Sequence, residues 1–307
     1  MAHYNAAARS GIDTSRVDRL TDIPEITRAA FLPDREAREK WDSIIVPEGW
    51  KDRLVNQAIV TLKLRQSVSA ARLPLHGIFV LSGPPGTGKT TLAEGLGAPL
   101  GDALGERVLF VEVNSHKLVG GQLGKTQKLV DSLMNETIPE AVQDDYALLL
   151  IDEVETLATA RDQLSLSANP VDVHRAVDAA LVGLDRLASS HKKLLVIATT
   201  NFQQAIDDAF LSRADLILQM PLPDQQGREQ ILGDTLRALG ESYPRVKQLV
   251  YPATLARLAE ASEGIDARQL RKSVAMACGR RREVALDPGK LAEDDIRLAI
   301  EQVRAVR

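Results

Sequence analysis

The sequence contains a single cysteine, Cys278, among 307 residues. One thiol excludes an internal disulfide framework and any zinc site built from cysteines. No apolar run approaches the ~20 residues that a membrane-spanning helix needs, and the N-terminus has no apolar stretch of signal-peptide length. The net charge of -4 lacks the basic excess of a general nucleic-acid binder. We therefore expect a soluble, cytoplasmic protein with no membrane partner and no nucleic acid.

Apolar segments are plentiful, since 44% of the residues are hydrophobic. Five short apolar runs alternate with stretches of helical spacing, which predicts an α/β fold with a parallel five-stranded sheet flanked by helices. The runs are IFVLS at 78–82, RVLFVEV at 107–113, ALLLI at 147–151, LLVIA at 194–198 and DLILQM at 215–220.

Domain boundaries are indicated by a change of pattern near Pro221 and Pro223, because each proline removes a backbone donor and disfavours helix before it. No strand pattern recurs beyond them, and helical spacing fills 224–240, 252–263, 266–282 and 291–305. We predict an N-terminal arm at 1–40, a large domain at 41–222 and a small all-helical lid domain at 223–307.

The strongest motif is GPPGTGKT, which matches the phosphate loop G-x-x-x-x-G-K-[ST] at every fixed position. It consists of Gly83, Pro84, Pro85, Gly86, Thr87, Gly88, Lys89 and Thr90. The apolar run at 78–82 precedes it, and a helix from Lys89 to Leu96, ended by Gly97 and Pro99, is predicted to follow. Such a loop binds a nucleoside triphosphate: Lys89 reaches the β- and γ-phosphates, and the Thr90 hydroxyl ligates Mg²⁺.

Polar side chains follow the next buried runs. Asp152 and Glu153 come directly after the run at 147–151, and Asn201 follows the run at 194–198. We predict that Asp152 holds Mg²⁺ through a coordinated water and that Glu153 deprotonates the attacking water. Asn201 is predicted to sense the γ-phosphate.

Two arginines complete the predicted catalytic set. Arg213 lies just before the last strand, where a guanidinium from a neighbouring subunit can stabilise charge on the transferred phosphoryl group. Arg268 opens a helix of the lid, from which it can reach the γ-phosphate. We also predict Thr91, Ile44 and Ile45 as nucleotide contacts.

In this order the motifs resemble those of an AAA+ ATPase. Several segments further resemble the pachytene checkpoint family of HORMA-domain remodellers, in its bacterial type that lacks the large N-terminal adaptor-binding domain. They are WDSII at 41–45, VEVNSHKL at 111–118, IDEVETLATARD at 151–162, AFLSRAD at 209–215 and SEGIDARQLRKS at 262–273.

That resemblance implies a homo-hexamer that binds ATP and Mg²⁺ at each subunit interface, with Arg213 acting across it. It implies a HORMA-domain client, engaged in the central pore and partly unfolded, and a role in antiphage cyclic-nucleotide signalling. The client-gripping loop corresponds to Gly121, Gln122 and Leu123. Gln122 replaces the aromatic residue of the eukaryotic pattern, so Leu123 is the main expected contact. A plain flexible loop is the alternative.

Two other functions remain open from the sequence. A DNA-directed motor or loader is suggested by the cations Arg271, Lys272 and Arg280–Arg282, although no aromatic residues are interleaved with them. The second alternative is a nucleotide-dependent assembly scaffold. Glu153 speaks against it, because a scaffold has no need of a catalytic base.

Overall fold

The computed structural model describes residues 14–119, 126–156 and 170–305. These ranges contain a six-stranded sheet with the order β1-β3-β4-β5-β2-β6. The strands are β1 (Ile26–Leu32), β2 (Ile78–Ser82), β3 (Val108–Asn114), β4 (Tyr146–Asp152), β5 (Leu194–Thr200) and β6 (Leu216–Gln219). Strands β2 to β6 pair in parallel, which confirms the predicted α/β fold.

The prediction of five strands was wrong by one. Residues 26–32, assigned from the sequence to the N-terminal arm, pair antiparallel with β3, from Leu32 opposite Val108 to Ile26 opposite Val113. The buried residues of this strand are Ile26, Ala29 and Leu32, and the register shifts between Ile26 and Arg28. This spacing of three conceals the alternation by which a half-buried strand is normally recognised.

Helices cover both faces of the sheet. Ile78 and Val80 of β2 belong to one hydrophobic core, and Phe79 and Leu81 to the other. The helices before the lid are α1 (Thr14–Thr21), α2 (Arg35–Ser43), α3 (Trp50–Ser67), α4 (Lys89–Leu104), α5 (Ser115–Val119), α6 (Thr126–Ser132), α7 (Ile138–Val142), α8 (Pro170–Ser190) and α9 (Asp208–Leu211). A π-turn (Leu133–Thr137) and two 3₁₀ turns (Val154–Thr156 and Gln203–Ala205) lie between them. Among the described helices, none combines the length and apolarity required to cross a bilayer.

Helix α4 extends eight residues beyond the predicted end at Leu96, to Leu104, with Pro99 inside it. Its glycines do not terminate the helix and instead allow close packing. A Cβ on Gly95 would lie 2.7 Å from the backbone nitrogen of Trp41, and one on Gly97 would lie 2.3 Å from Leu32 Cδ1. Helix α2 and strand β1 thus approach α4 at these two positions.

The C-terminal lid is helical, as predicted, and has its own hydrophobic core, which includes Leu232, Leu258, Leu270 and Ile300. Its helices are α10 (Gln225–Ser242), α11 (Pro252–Ala261), α12 (Ala267–Cys278), α13 (Arg282–Leu286) and α14 (Glu293–Ala305). The 3₁₀ turns Pro244–Val250 and Pro288–Lys290 connect them.

The close contact of α2 with α4 yields a stability prediction. Gly95→Ala should lower the free energy of unfolding by about 1–3 kcal/mol, because backbone atoms of Trp41 leave no room for the methyl group. Alanine stabilises a helix interior relative to glycine, so helix propensity alone would raise the free energy of unfolding. Urea denaturation measures it. Gly279→Ala is the control, since its nearest neighbour would be Met276 O at 3.5 Å, and equal stability of the two variants would contradict the packing argument.

Candidate active site

The loop between β2 and α4 has the backbone conformation of an anion-binding loop. Gly83, Gly86 and Gly88 have φ values of 142°, 81° and 93°. At Gly86 a Cβ would lie 2.1 Å from Asp266 Oδ1, so both conformation and space require glycine there. Helix α4 begins at Lys89 with no side-chain cap. Its first N–H groups and the loop amides therefore suit phosphate oxygens.

Lys89 lies at the base of this loop and is only 6% exposed. Its Nζ donates to the carbonyl oxygens of Gly83 and Pro84, at 2.8 and 2.9 Å, and to Asn201 Oδ1 at 2.9 Å. Burial lowers the pKa of Lys89, while Glu155 and Asp152 oppose that shift. The structure therefore brings together two of the three side chains predicted to contact the γ-phosphate, Lys89 and Asn201.

Asp152 is held by two hydroxyl groups. Thr90 Oγ1 donates to Asp152 Oδ1 at 2.8 Å, and Thr199 Oγ1 donates to the same oxygen. Thr199 also accepts from the backbone N–H of Glu153 at 3.2 Å. Thr199 thus supports both acids, a role that the sequence analysis did not assign. Its position at the end of β5, next to β4, was the available signal.

Glu153 follows Asp152 in a left-handed conformation, with φ of 51°. Its Oε2 lies 2.7 Å from Nε2 of His116 in α5. His116 is exposed, and it belongs to the segment NSHKL that directly precedes the predicted client loop. In the sequence His116 is only part of a segment with a family resemblance, and its contact with the candidate base was not predicted.

Hydrogen bonds of its side chain and of its backbone both position Asn201. Its side chain meets Lys89, and its backbone N–H donates to Glu155 Oε1 at 3.2 Å. Glu155 was not predicted as a site residue, although it lies only two residues beyond Glu153.

Arg213 makes its contacts within its own chain. Its Nε and Nη2 donate to the two carboxylate oxygens of Asp185 in α8, at 2.7 and 2.8 Å, and Nη1 donates to Ala209 O. The Arg213 hydrogen bonds hold the pKa of the Asp185 carboxyl below its usual value, and the Asp185 partner raises the pKa of Arg213. These contacts do not join Arg213 to the phosphate loop.

A cleft of about 250 Å³ separates the phosphate loop from the lid. Its lining consists of Ile44, Ile45, Gly86, Thr87, Gly88, Thr91, Ala267, Arg268, Arg271 and Lys272. The backbone N–H of Arg268 donates to Gly86 O at 3.3 Å, which ties the start of α12 to the loop. Arg268 and the predicted contacts Thr91, Ile44 and Ile45 thus line one cleft.

Pro84 and Pro85 lie on the other side of the loop, in a second cleft shared with Asn201 and the exposed Phe202. The predicted client-gripping residues Gly121, Gln122 and Leu123 lie outside the described residues.

Within the described part of the chain, no cluster of three or more His, Cys, Asp or Glu side chains is placed to hold a metal ion. Thr90 Oγ1 and Asp152 Oδ1, 2.8 Å apart, nevertheless provide hard oxygen donors that suit Mg²⁺. Magnesium in nucleotide sites takes most of its remaining ligands from phosphates and water, so these residues fit the predicted metal.

The family model of the ATPase family associated with various cellular activities (AAA) matches residues 79–222. CD-NTase-associated protein 6 of Pseudomonas aeruginosa is 44% identical over 283 residues, which are 92% of this chain and 93% of that protein. The chain belongs to the AAA ATPase family. As an AAA ATPase it binds and hydrolyses ATP.

The AAA ATPase is also related to the pachytene checkpoint proteins, as its sequence suggests. The Danio rerio pachytene checkpoint protein 2 homolog is 33% identical over 248 residues, which are 78% of this chain and 57% of that protein. A chain of the solved HORMA:CdnC:Trip13 complex of E. coli MS115-1 superposes with a TM-score of 0.74 at 21% identity, covering 91% of this chain and 95% of that one. At that identity the likeness shows the fold.

Thr199 provides a test of the acid arrangement in this AAA ATPase. Thr199→Val removes the hydroxyl that touches Asp152 and Glu153, so the Mg²⁺ concentration for half-maximal ATP turnover should rise roughly 10- to 100-fold. Titration of the ATPase rate with MgCl₂ measures the change. Thr200→Val is the control, because the Thr200 hydroxyl accepts from the Phe202 N–H instead. An unchanged Mg²⁺ requirement in the Thr199 variant would remove Thr199 from this role.

Proposed function

We propose that this AAA ATPase is a hexameric remodeller that partly unfolds a HORMA-domain client and thereby regulates an antiphage cyclic-nucleotide signalling system. The observation that carries the proposal is 44% identity, over nearly the whole chain, to a protein named for its association with a CD-NTase. A similar fold in a HORMA:CdnC:Trip13 complex supports the choice of client.

The chemical step uses residues of one subunit for binding and proton transfer. Lys89 exchanges its contacts with Gly83, Pro84 and Asn201 for γ-phosphate oxygens, and the loop amides hold the other phosphates. Glu153 takes a proton from water as the water oxygen attacks the γ-phosphorus, and the β-phosphate oxygen of ADP leaves. Asn201, which follows β5, and Arg268, in helix α12 of the lid, orient the γ-phosphate from opposite sides.

Thr90 and Asp152 are the residues that would hold Mg²⁺, the former directly and the latter through water. The ion neutralises charge on the β- and γ-phosphate oxygens when bound. Thr199, through its contact with Asp152, keeps the carboxylate aimed at this position.

Arg213 acts on the nucleotide of the neighbouring subunit. Within its own subunit, Nε and Nη2 of the guanidinium both donate to the Asp185 carboxylate. Phosphoryl oxygens offer the same bidentate geometry as a carboxylate. A neighbouring ATP therefore competes with Asp185 for Arg213, which makes hydrolysis dependent on correct ring contacts.

Client binding is coupled to hydrolysis through α5. This helix carries His116, which contacts the Glu153 carboxylate, and it precedes the predicted client-gripping residues 121–123 in the sequence. While His116 is hydrogen-bonded to Oε2 of Glu153, that oxygen is not available to accept a proton from the attacking water. A client that displaces α5 frees Glu153 for the attacking water, so client binding should accelerate ATP turnover.

The client experiment tests this function directly. ATP turnover should rise when a bacterial HORMA-like protein is added, and duplex DNA should leave the rate unchanged. Glu153→Gln should keep ATP affinity, lower turnover at least about 100-fold and retain the client on a sizing column in ATP.

Thr156→Val is the control. Thr156, like Glu153, follows strand β4, but it is not a predicted catalytic residue. Stimulation by DNA and not by the HORMA-like protein would favour a DNA-directed motor. Binding of client with no turnover in the wild-type protein would favour a scaffold. Either result would overturn the proposal.

A mixing experiment tests the action of Arg213 across the interface. Arg213→Ala should lower turnover by at least about 1000-fold, as should Lys89→Ala. An equal mixture of the two variants should recover about a quarter of the wild-type rate. In rings that assemble at random, about a quarter of the head-to-tail interfaces join the intact nucleotide site of an Arg213→Ala subunit to the intact Arg213 of a Lys89→Ala subunit.

The matched mixture of Lys89→Ala with Glu153→Gln should recover nothing, since both defects affect the subunit that binds the nucleotide. Native mass spectrometry verifies subunit exchange. Verified mixed rings with no recovered turnover would contradict action in trans.

A further inference from the structure

The segment Ser43–Val46, which we call the strap, connects the two hydrophobic cores that flank the nucleotide cleft. Ile44 is 8% exposed and belongs to the core of the large domain, whereas Ile45 packs against the core of the lid. Ile44 also touches the phosphate loop, since a Cβ on Gly88 would lie 2.7 Å from Ile44 Cδ1. The strap therefore contacts both domains, and its position depends on the position of each.

Arg271 of the lid holds this strap. Its Nη2 donates to the backbone carbonyl of Ser43 at 2.8 Å, across 228 residues of sequence. The side chain is half-buried, and burial lowers the pKa of Arg271, with Asp234 opposing the shift. A guanidinium in such a place needs a partner for its donors, and the Ser43 carbonyl is that partner.

The chemistry of the cleft identifies what the strap contacts. The phosphates of a nucleotide occupy the loop amides and the N-terminus of α4. Beyond the loop and the N-terminus of α4, the wall consists of three apolar residues and three cations: Ile44, Ile45, Ala267, Arg268, Arg271 and Lys272. The apolar side chains suit the flat face of a base. The edges of that base would meet the strap backbone, whose position depends on Ser43.

We propose that Arg271 is a positioning residue for the base of the nucleotide. By holding the Ser43 carbonyl from the lid, it fixes the strap in the form that accepts the base, and it acts without contacting the phosphates. This inference rests on the nucleotide site of the proposed function. It also gives a role to Arg271, which in the sequence is part of a basic run.

Two other cations of that run, Arg280 and Arg281, have partners within the lid. Arg281 pairs with Asp295 at 2.7 Å, and Arg280 Nη1 donates to Gln302 Oε1 at 3.3 Å. Arg271 is therefore distinguished from these cations by its location in the cleft and by its bond across the domains.

Isothermal titration calorimetry tests the proposal by measuring affinities for ATP, ADP and GTP. The variants are Arg271→Met, Arg271→Lys and the control Arg280→Met. Arg271→Met should bind ATP and ADP equally weakly, roughly tenfold or more below wild type, because one bond to a charged group is lost. The wild type should bind ATP more tightly than GTP, and this difference in affinity should be smaller in Arg271→Met. The kcat of Arg271→Met at saturating ATP should stay within about twofold of the wild-type value. Arg271→Lys should recover part of the affinity, and Arg280→Met should match the wild type.

Three results would overturn the inference. A larger loss for ATP than for ADP would show that Arg271 contacts the phosphates directly. Unchanged affinity in Arg271→Met would show that the strap does not depend on it. A loss of affinity with intact preference for ATP over GTP would separate Arg271 from the base. Failure of the wild-type protein to bind ATP would instead contradict the proposed function itself.

Discussion

The parallel register of β2, β4 and β5 is the constraint on which the candidate site depends. Ser82 pairs with Thr200 and Ile151 with Ala198, so the carboxyl ends of the three strands lie level. The chain leaves each strand with a polar residue at the same edge of the sheet. This alignment places Lys89 beside Asn201, and Asp152 beside Thr199. A shift by one residue would turn these side chains to the opposite face.

The motifs and most of the fold could be predicted because their signals are local. Five apolar runs identify the parallel strands, and the glycines of the phosphate loop are required by positive φ. The β1 strand could not be recognised, because its buried residues are spaced by three. The close approach of Trp41 to Gly95 could not be foreseen either, since glycine in a helix reads as a stop signal until its neighbour is known. Local patterns do not contain such contacts between distant segments.

The partners of the predicted residues were also inaccessible to sequence reasoning. Asp185 precedes Arg213 by 28 positions, and His116 precedes Glu153 by 37. Neither spacing has a helical or strand period, so only the fold brings the pairs together. The contacts of the basic run are hidden for a similar reason: its charges are visible in the sequence, whereas the Asp295 partner of Arg281 and the Ser43 partner of Arg271 are not.

Each reactive group in the site is held by a group of the protein: Lys89 by Asn201, Asp152 by Thr199, Glu153 by His116 and Arg213 by Asp185. Activation is therefore an exchange of partners, and its energy is a difference between hydrogen bonds of similar strength. In the proposed function, three of these exchanges involve separate partners: the nucleotide at Lys89, the client at Glu153 and the neighbouring subunit at Arg213. Reciprocity between two sites applies to binding free energies and not to rates. In the proposed function, release of Glu153 by a client that displaces α5 therefore changes the rate of hydrolysis, whereas the grip on the client varies with the ATP cycle only as far as the client also changes the affinity for the nucleotide.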